Sequence, residues 1–235
     1  MTTRRVIGVL GGMGPAATVD FLGKIVRATP ARRDQDHLPV ILRQAPQIPD
    51  RASAILQGSD APFAPMLAGL LGLQEAGADV LAIPCNTAHF WHERLARACR
   101  VPMLHIVQAV ERRLPAGGER FGLMATRGTI AAGIYPERLA DGRLIQRPSD
   151  ELQRLVDEAI AGVKAGLPQA VAARKAEAAA TWFLDTGVAA VILACTELPI
   201  ALASSPLMSL GIDSTQALAE ACVEAAMEPV ALAPS

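Results

Sequence analysis

Two cysteines, Cys85 in "IPCNT" and Cys195 in "LACTE", each follow a short apolar run and precede residues that favour a helix start. Asn and Thr side chains accept hydrogen bonds from the free N–H groups of a first helical turn. That end of a helix also carries partial positive charge, which lowers a thiol's pKa and can hold a carboxylate. A thiol placed there can give up a proton or, as thiolate, take one. A single cysteine of this kind reads as a buried structural thiol. Two at matched strand ends, with matched capping residues, point to a pair facing one another across a cleft.

The matching extends beyond the cysteines. "GADVLAIPCNT" from Gly77 and "GVAAVILACTE" from Gly187 align glycine on glycine and cysteine on cysteine. Ile7–Gly14 and Phe121–Gly128 align in the same way, with glycines at corresponding positions. Gly-strand-loop units look alike in many α/β proteins, but two such matches point to two related lobes.

The elements that must carry these residues alternate. Val6–Leu10, Val40–Arg43, Val80–Ile83, Phe121–Met124 and Val188–Leu193 read as strands. They are nearly continuous apolar runs, the pattern of strands covered on both faces. Pro62–Ala76, Ala88–Cys99, Asp150–Val163, Pro168–Thr186 and Ser214–Met227 read as helices. This alternation predicts an α/β fold of mainly parallel sheets flanked by helices, with ligands at the carboxyl ends of the strands.

Composition excludes several classes. The chain has 235 residues, 51% hydrophobic but only 3% aromatic, so an Ala/Leu/Val/Ile core is expected. A net charge of -1 gives no footprint for nucleic acid or for an anionic membrane surface. No apolar run is long enough to span a bilayer. Arg4-Arg5 before an apolar segment imitates a secretion signal, but Gly11, Gly12, Gly14 and Pro15 break that segment. Four cysteines without a CxxC spacing do not form a disulfide framework, so a reducing, cytoplasmic setting is expected.

Gly12-Met13-Gly14-Pro15-Ala16-Ala17 fits GxGxxA, a pattern that by itself is weak. A dinucleotide fold wants an acid soon after the second strand, whereas here Asp50 comes late, after two prolines. Pro15 suits a first helical turn. The glycines are read as letting backbone N–H groups approach a small carboxylate. Cys85, His89 and His92 have spacings that could approach a metal, but His89 reads better as a capping, packing or thiol-polarising residue. Cys99 and Cys222 read as helix core. The chain has three lysines, Lys24, Lys164 and Lys175. With Lys24 and Lys175 on helices, a pyridoxal phosphate Schiff base is not expected.

The blocks "GVLGGMGPAAT", "DQDHLPV", "PQIPDR", "IPCNTAH" and "CTELP", spread from Gly8 to Pro199, resemble the signature blocks of the aspartate racemase family, and "DST" at Asp213–Thr215 fits as well. That family belongs to the cofactor-independent Asp/Glu racemases. The resemblance implies two pseudo-symmetric α/β lobes with the site between them, and no cofactor or metal; one lobe of that fold includes the C-terminal helix, which places the first lobe at residues 1–104 plus 213–235 and the second at 105–212. It implies inversion at Cα of aspartate, or of glutamate, with Cys85 and Cys195 as the two acid/base groups on opposite faces. By the same resemblance Met13 and Gly14 line the site, and Gln47 and Arg51 lie in a loop over it, with Arg51 suited to gripping a second carboxylate. Asn86, Thr87, Thr196 and Glu197 flank the cysteines. Glu197 either binds the substrate ammonium or begins a helix. Thr126 adds a hydroxyl or caps a helix, and Lys164 meets either the distal acidic group or a helix dipole. Ala194 departs from the family, which commonly has glycine there, and its methyl would tighten the pocket. The implied partner is a small acidic amino acid, with a homodimer possible. The scaffold also fits a maleate-type cis–trans isomerase, and a metabolite sensor without turnover would keep the same fold.

Overall fold

The apolar runs do form strands, in two separate parallel sheets. The structure is a computed structural model describing residues 4–117, 119–136, 139 and 141–228. In chain order the elements are β1 (Ile7–Gly11), α1 (Pro15–Ala28), β2 (Val40–Gln44), α2 (Arg51–Leu56), α3 (Phe63–Glu75), β3 (Val80–Ala82), α4 (His92–Ala98) and α5 (Ile106–Glu111). They continue with β4 (Arg120–Ala125), α6 (Arg127–Ala131), β5 (Leu144–Gln146), α7 (Asp150–Lys164), α8 (Gln169–Asp185), β6 (Ala190–Ala194), α9 (Leu198–Ala201), β7 (Gly211–Asp213) and α10 (Ser214–Met227).

The strand orders are β2-β1-β3 and β5-β4-β6-β7, and every pairing is parallel. β1 and β4, the strands of the matched Ile7–Gly14 and Phe121–Gly128 segments, hold corresponding inner positions. β3 and β6, which lead to Cys85 and Cys195, pair with them in the same connectivity. The fold is α/β, two sheets flanked by helices, with the first half of the chain echoed by the second.

β1, β3 and β6 are buried along their whole length. β2 departs from the expected two-sided cover. It is an edge strand, with Val40 and Leu42 exposed at 37% and 40%. The apolar run marked a strand correctly, but sheet order left one side of it open. The expected helix over Ala88–Cys99 is also different. A 3-10 turn over Asn86–Trp91 precedes α4, and Cys99 caps α4 half-buried instead of lying inside it. The tight turn buries Asn86, Thr87, Ala88, His89 and Trp91 together, which one face of an α-helix could not do.

Small residues allow close packing. Gly12, at φ +94°, sits where an added Cβ would come within 2.5 Å of the Ala45 backbone nitrogen. Its N–H donates to Thr18 Oγ1 at 2.8 Å. The Gly12 N–H is therefore spent on docking α1 and does not serve a ligand. Gly128 lets α6 approach α2, since a Cβ there would lie 2.5 Å from Ala52 Cα.

One apolar cluster joins β1 (Ile7, Val9), α1 (Phe21, Ile25), β4 (Phe121, Leu123) and α10 (Leu218, Cys222). Burying each phenylalanine contributes about 2 kcal/mol. Cys222 is fully buried in this core, as its helical context predicts. Lys24 on α1 is buried and reaches Asp20 Oδ2 at 2.5 Å, Asp213 Oδ2 at 2.6 Å and Thr215 Oγ1 at 2.7 Å. Asp213 caps α10, accepting from the Thr215 and Gln216 N–H groups. This polar knot ties α1 to the β7–α10 junction and so holds one sheet's helix layer against the other sheet.

Candidate active site

Cys85 and Cys195 line one cavity. Met13, Asp50, Arg51, Ala52, Asn86 and Thr87 come to it from the first half of the chain, and Thr126, Lys164, Ala194, Thr196 and Glu197 from the second. Its volume is about 20 Å³, room for about one water molecule and not for an amino acid. A neighbouring cavity of about 460 Å³ shares Arg51, Lys164 and Glu197 and reaches Gly12, Gly14 and Pro46. These three charged residues therefore stand between a roomy vestibule and the two thiols. A larger cavity, about 810 Å³, lies by Lys24 and β7 and contains neither thiol.

Each cysteine stands where parallel-strand geometry puts functional groups, just beyond a strand's carboxyl end. Cys85 is the residue before the 3-10 turn, and its carbonyl accepts from the Ala88 N–H. His89 Nδ1 lies 3.0 Å from the same carbonyl. His89 thus packs behind Cys85 and bonds to its backbone, in a cluster with His92 and His105 whose ring centroids lie 4.4 to 5.5 Å apart.

Cys195 has a different environment. Its Sγ donates to Glu197 Oε2 at 3.1 Å, and Thr196 Oγ1 donates to that same oxygen at 3.2 Å. Burial, and then the Glu197 charge and hydrogen bond, push the Cys195 thiol well above its usual range, with Lys164 opposing them. Glu197 is 3% exposed and precedes α9 without capping it by its side chain. Its Oε1 faces Gly14, where a Cβ would approach to 3.0 Å.

Arg51 is buried at the start of α2. Its Nη1 donates to the Ile48 and Pro49 carbonyls, both at 3.1 Å, and its Nη2 to the Met13 carbonyl at 3.3 Å. Its Nε–H is buried without a partner. These carbonyls aim the guanidinium and take three of its five N–H donors, leaving the Nε–H and one on Nη2. Lys164, the last residue of α7, lines both cavities.

Thr126 caps α6 by accepting from the Thr129 N–H, and it also lines the cavity. Thr87 Oγ1 lies 3.1 Å from Thr126 Oγ1 and 2.8 Å from Thr129 Oγ1, a hydroxyl cluster joining the two halves of the chain. Asn86 is fixed through both ends of its amide, to Ser214 and to Tyr135.

The expected residues Met13, Arg51, Asn86, Thr87, Thr126, Lys164, Thr196 and Glu197 thus meet around the cysteines, and Gly14 lines the vestibule. Gln47 does not join them; it is exposed in the loop between β2 and α2, which turns inward only at Ile48 and Arg51. Sequence reasoning missed Asp50, Ala52, Thr129 and Tyr135. Tyr135 is the chain's one tyrosine, and that rarity was the available signal.

The fold and site define a two-lobed α/β protein with a buried polar cavity at the carboxyl ends of its strands. The family model for Asp/Glu/hydantoin racemases matches residues 10–222. The broad-specificity amino-acid racemase RacX of Bacillus subtilis (strain 168) is 31% identical over 163 residues, covering 68% of this chain and 71% of that protein. The Picrophilus torridus aspartate racemase superposes with a TM-score of 0.83 at 31% identity, over 94% of each chain. A glutamate racemase from Campylobacter jejuni subsp. jejuni shares the fold, with a TM-score of 0.62 and 22% identity over 94% of this chain and 85% of that one. The chain belongs to the Asp/Glu/hydantoin racemase family, whose racemases are isomerases. Among the described residues no helix is long and apolar enough to cross a membrane.

Proposed function

We propose that the chain racemises aspartate, and other small acidic amino acids less well, by proton transfer through Cys85 and Cys195 without pyridoxal phosphate. The observation that carries this reading is that both thiols line one cavity. Inversion at Cα needs a base on one face and an acid on the other, because a lone base tends to return the proton where it came from. In the resting enzyme Cys195 carries the proton, held there by burial and Glu197. Cys85, as thiolate, takes the α-proton of the enantiomer presented to it. Cys195 delivers its own proton to the opposite face, and the roles swap for the other enantiomer.

The carbanion is very basic, so it needs fixed donors around the α-carboxylate as charge moves onto it. The Asn86 amide and the Thr87 and Thr126 hydroxyls are suitably placed at the cavity wall. The unpartnered Arg51 Nε–H and Lys164 favour a second carboxylate on the substrate. The Ala194 methyl favours the shorter diacid. Lys24 is held by two aspartates and Lys175 pairs with Glu158 at 2.8 Å, and neither lines the cavity of the two thiols. The closed cavity means that Arg51, Lys164 and Glu197 must part to admit substrate.

The test is a panel of enantiopure amino acids in D2O, followed by chiral chromatography and mass spectrometry. Deuterium at Cα with inversion, fastest for aspartate, is the expected result. Cys85→Ser and Cys195→Ser should each lower racemisation by about a thousandfold or more. No exchange with any acidic amino acid would overturn the reading, and turnover of maleate in its place would assign a cis–trans isomerase.

A further inference from the structure

We propose that Tyr135 and Ser214 are positioning residues that lock the Asn86 carboxamide in one orientation, so that one of its N–H bonds is presented to the substrate beside Cys85. The substrate half of this statement rests on the racemase reading above. The lock itself rests on a chain of three buried hydrogen bonds. Tyr135 Oη donates to Asn86 Oδ1 at 2.8 Å, Asn86 Nδ2 donates to Ser214 Oγ at 2.9 Å, and Ser214 Oγ donates to the Leu193 carbonyl at 2.8 Å. Asn86 and Tyr135 are each 2% exposed and Ser214 is fully buried, so water does not compete.

The direction of the chain follows from its last member. A carbonyl can only accept, so the Ser214 proton is committed to Leu193 on β6. Ser214 Oγ must then accept from its other neighbour, which only the amide nitrogen of Asn86 can satisfy. Asn86 Oδ1 is thereby turned to the phenol. In the flipped amide, two acceptors would face one another at Ser214 in a dry site, which is strongly disfavoured. The phenol stays a donor at every working pH. Burial, and then the Glu111 charge, push its ionisation far above the usual tyrosine range.

Asn86 Nδ2 carries two hydrogens, and Ser214 takes one. Asn86 lines the cavity between Cys85 and Thr87. The second hydrogen is the donor left for a carboxylate oxygen, in a direction set before substrate arrives. Such a preoriented donor gains strength as the carboxylate takes up carbanion charge. The three anchors come from different places: the segment after α6, the first residue of α10 and the end of β6. The orientation of one amide therefore reports the assembly of both halves of the chain.

The experiment is a double-mutant cycle with kinetic and spectroscopic readouts. Tyr135→Phe deletes one hydroxyl and keeps the ring in its packing. It should lower kcat for aspartate about tenfold, with little change in KM. In an Asn86→Ala background the same change should alter kcat less than about twofold, because its route of action is gone. Equal losses in both backgrounds would mean a general structural role and would overturn the proposal. Side-chain 15N–1H spectra test the lock without activity. In the wild type, the Ser214-bonded proton of the Asn86 amide should exchange slowly with solvent, and Ser214→Ala should remove that protection. An Asn86 amide already averaging in the wild type would overturn the lock even if racemisation is found. A protected amide in a protein that exchanges no amino acid would uphold the lock while the racemase reading fails.

Discussion

Glu197 Oε2 accepts a hydrogen bond from Cys195 Sγ at 3.1 Å, while the Cys85 side chain makes no such bond to a carboxylate among the described residues. The two thiols at matched strand ends are therefore not chemically equivalent. Glu197→Gln keeps an acceptor and removes the charge. The Cys195 thiol should then titrate at lower pH, seen as a shift in the pH profile of its alkylation in a Cys85→Ser background. Because L- and D-enantiomers have equal free energy, kcat/KM must change by the same factor for both. An unshifted alkylation profile would show that the carboxylate does not hold the proton.

Three backbone carbonyls aim the Arg51 guanidinium at the cavity wall, and its Nε–H stays buried without a partner. Arg51→Ala should lower kcat/KM for aspartate by about tenfold to a hundredfold and for alanine much less. Equal losses for both substrates would mean that Arg51 only braces the Met13 loop.

His89, His92 and His105 form a cluster, with His89 buried and the other two half-buried, whose imidazoles all titrate below their usual range. Burial, and then its imidazole neighbours, lower His89 to about 3, and burial with His92 lowers His105 to about 4. The unfolded chain takes up these protons near pH 6.5, so it binds more protons than the folded chain below that value. Stability is complete above about pH 6.5 and falls as pH drops toward 4, by about 1 kcal/mol per pH unit for His89. Urea midpoints at pH 7.5, 6, 5 and 4.5 measure it, and a flat profile would contradict the cluster.

Lys24→Met leaves Asp213 buried without its cation. Unfolding free energy should fall by about 3 kcal/mol or more. Denaturant titration measures the loss, and a change under about 1 kcal/mol would mean that the Asp20–Lys24–Asp213 knot is not needed to hold α1 on α10.

Much of this was readable in linear order, for reasons that differ by element. β1, β3 and β6, and β4 beyond Arg120, are apolar because both faces are covered, and such runs are visible without coordinates. β5 and β7 have three residues each and carry no period to detect. β2 looked like an inner strand because composition reports side-chain preference and not sheet order. The residues flanking the cysteines were legible, since strand ends and helix starts have local signatures. Tyr135 was not, because its partner Asn86 lies far away in sequence and only packing brings them together. Gln47 misled for the converse reason. It shares a loop with Arg51, yet the chain turns Ile48 and Arg51 inward and leaves it outside.

By itself, the order of residues determined that this chain alternates strand and helix and puts a thiol after each of two buried strands, because burial patterning acts over a few neighbours; the Asn86, Thr87 and Thr196 side chains, expected to cap the turns that follow, bond to Ser214, Thr129 and Glu197 instead. Tertiary structure alone decided that one thiol is tied to Glu197, that Arg51 keeps a free N–H, and that the Asn86 amide points one way. Those outcomes depend on distance and direction between groups remote in sequence, and hydrogen bonds and charges act only across the last few ångströms.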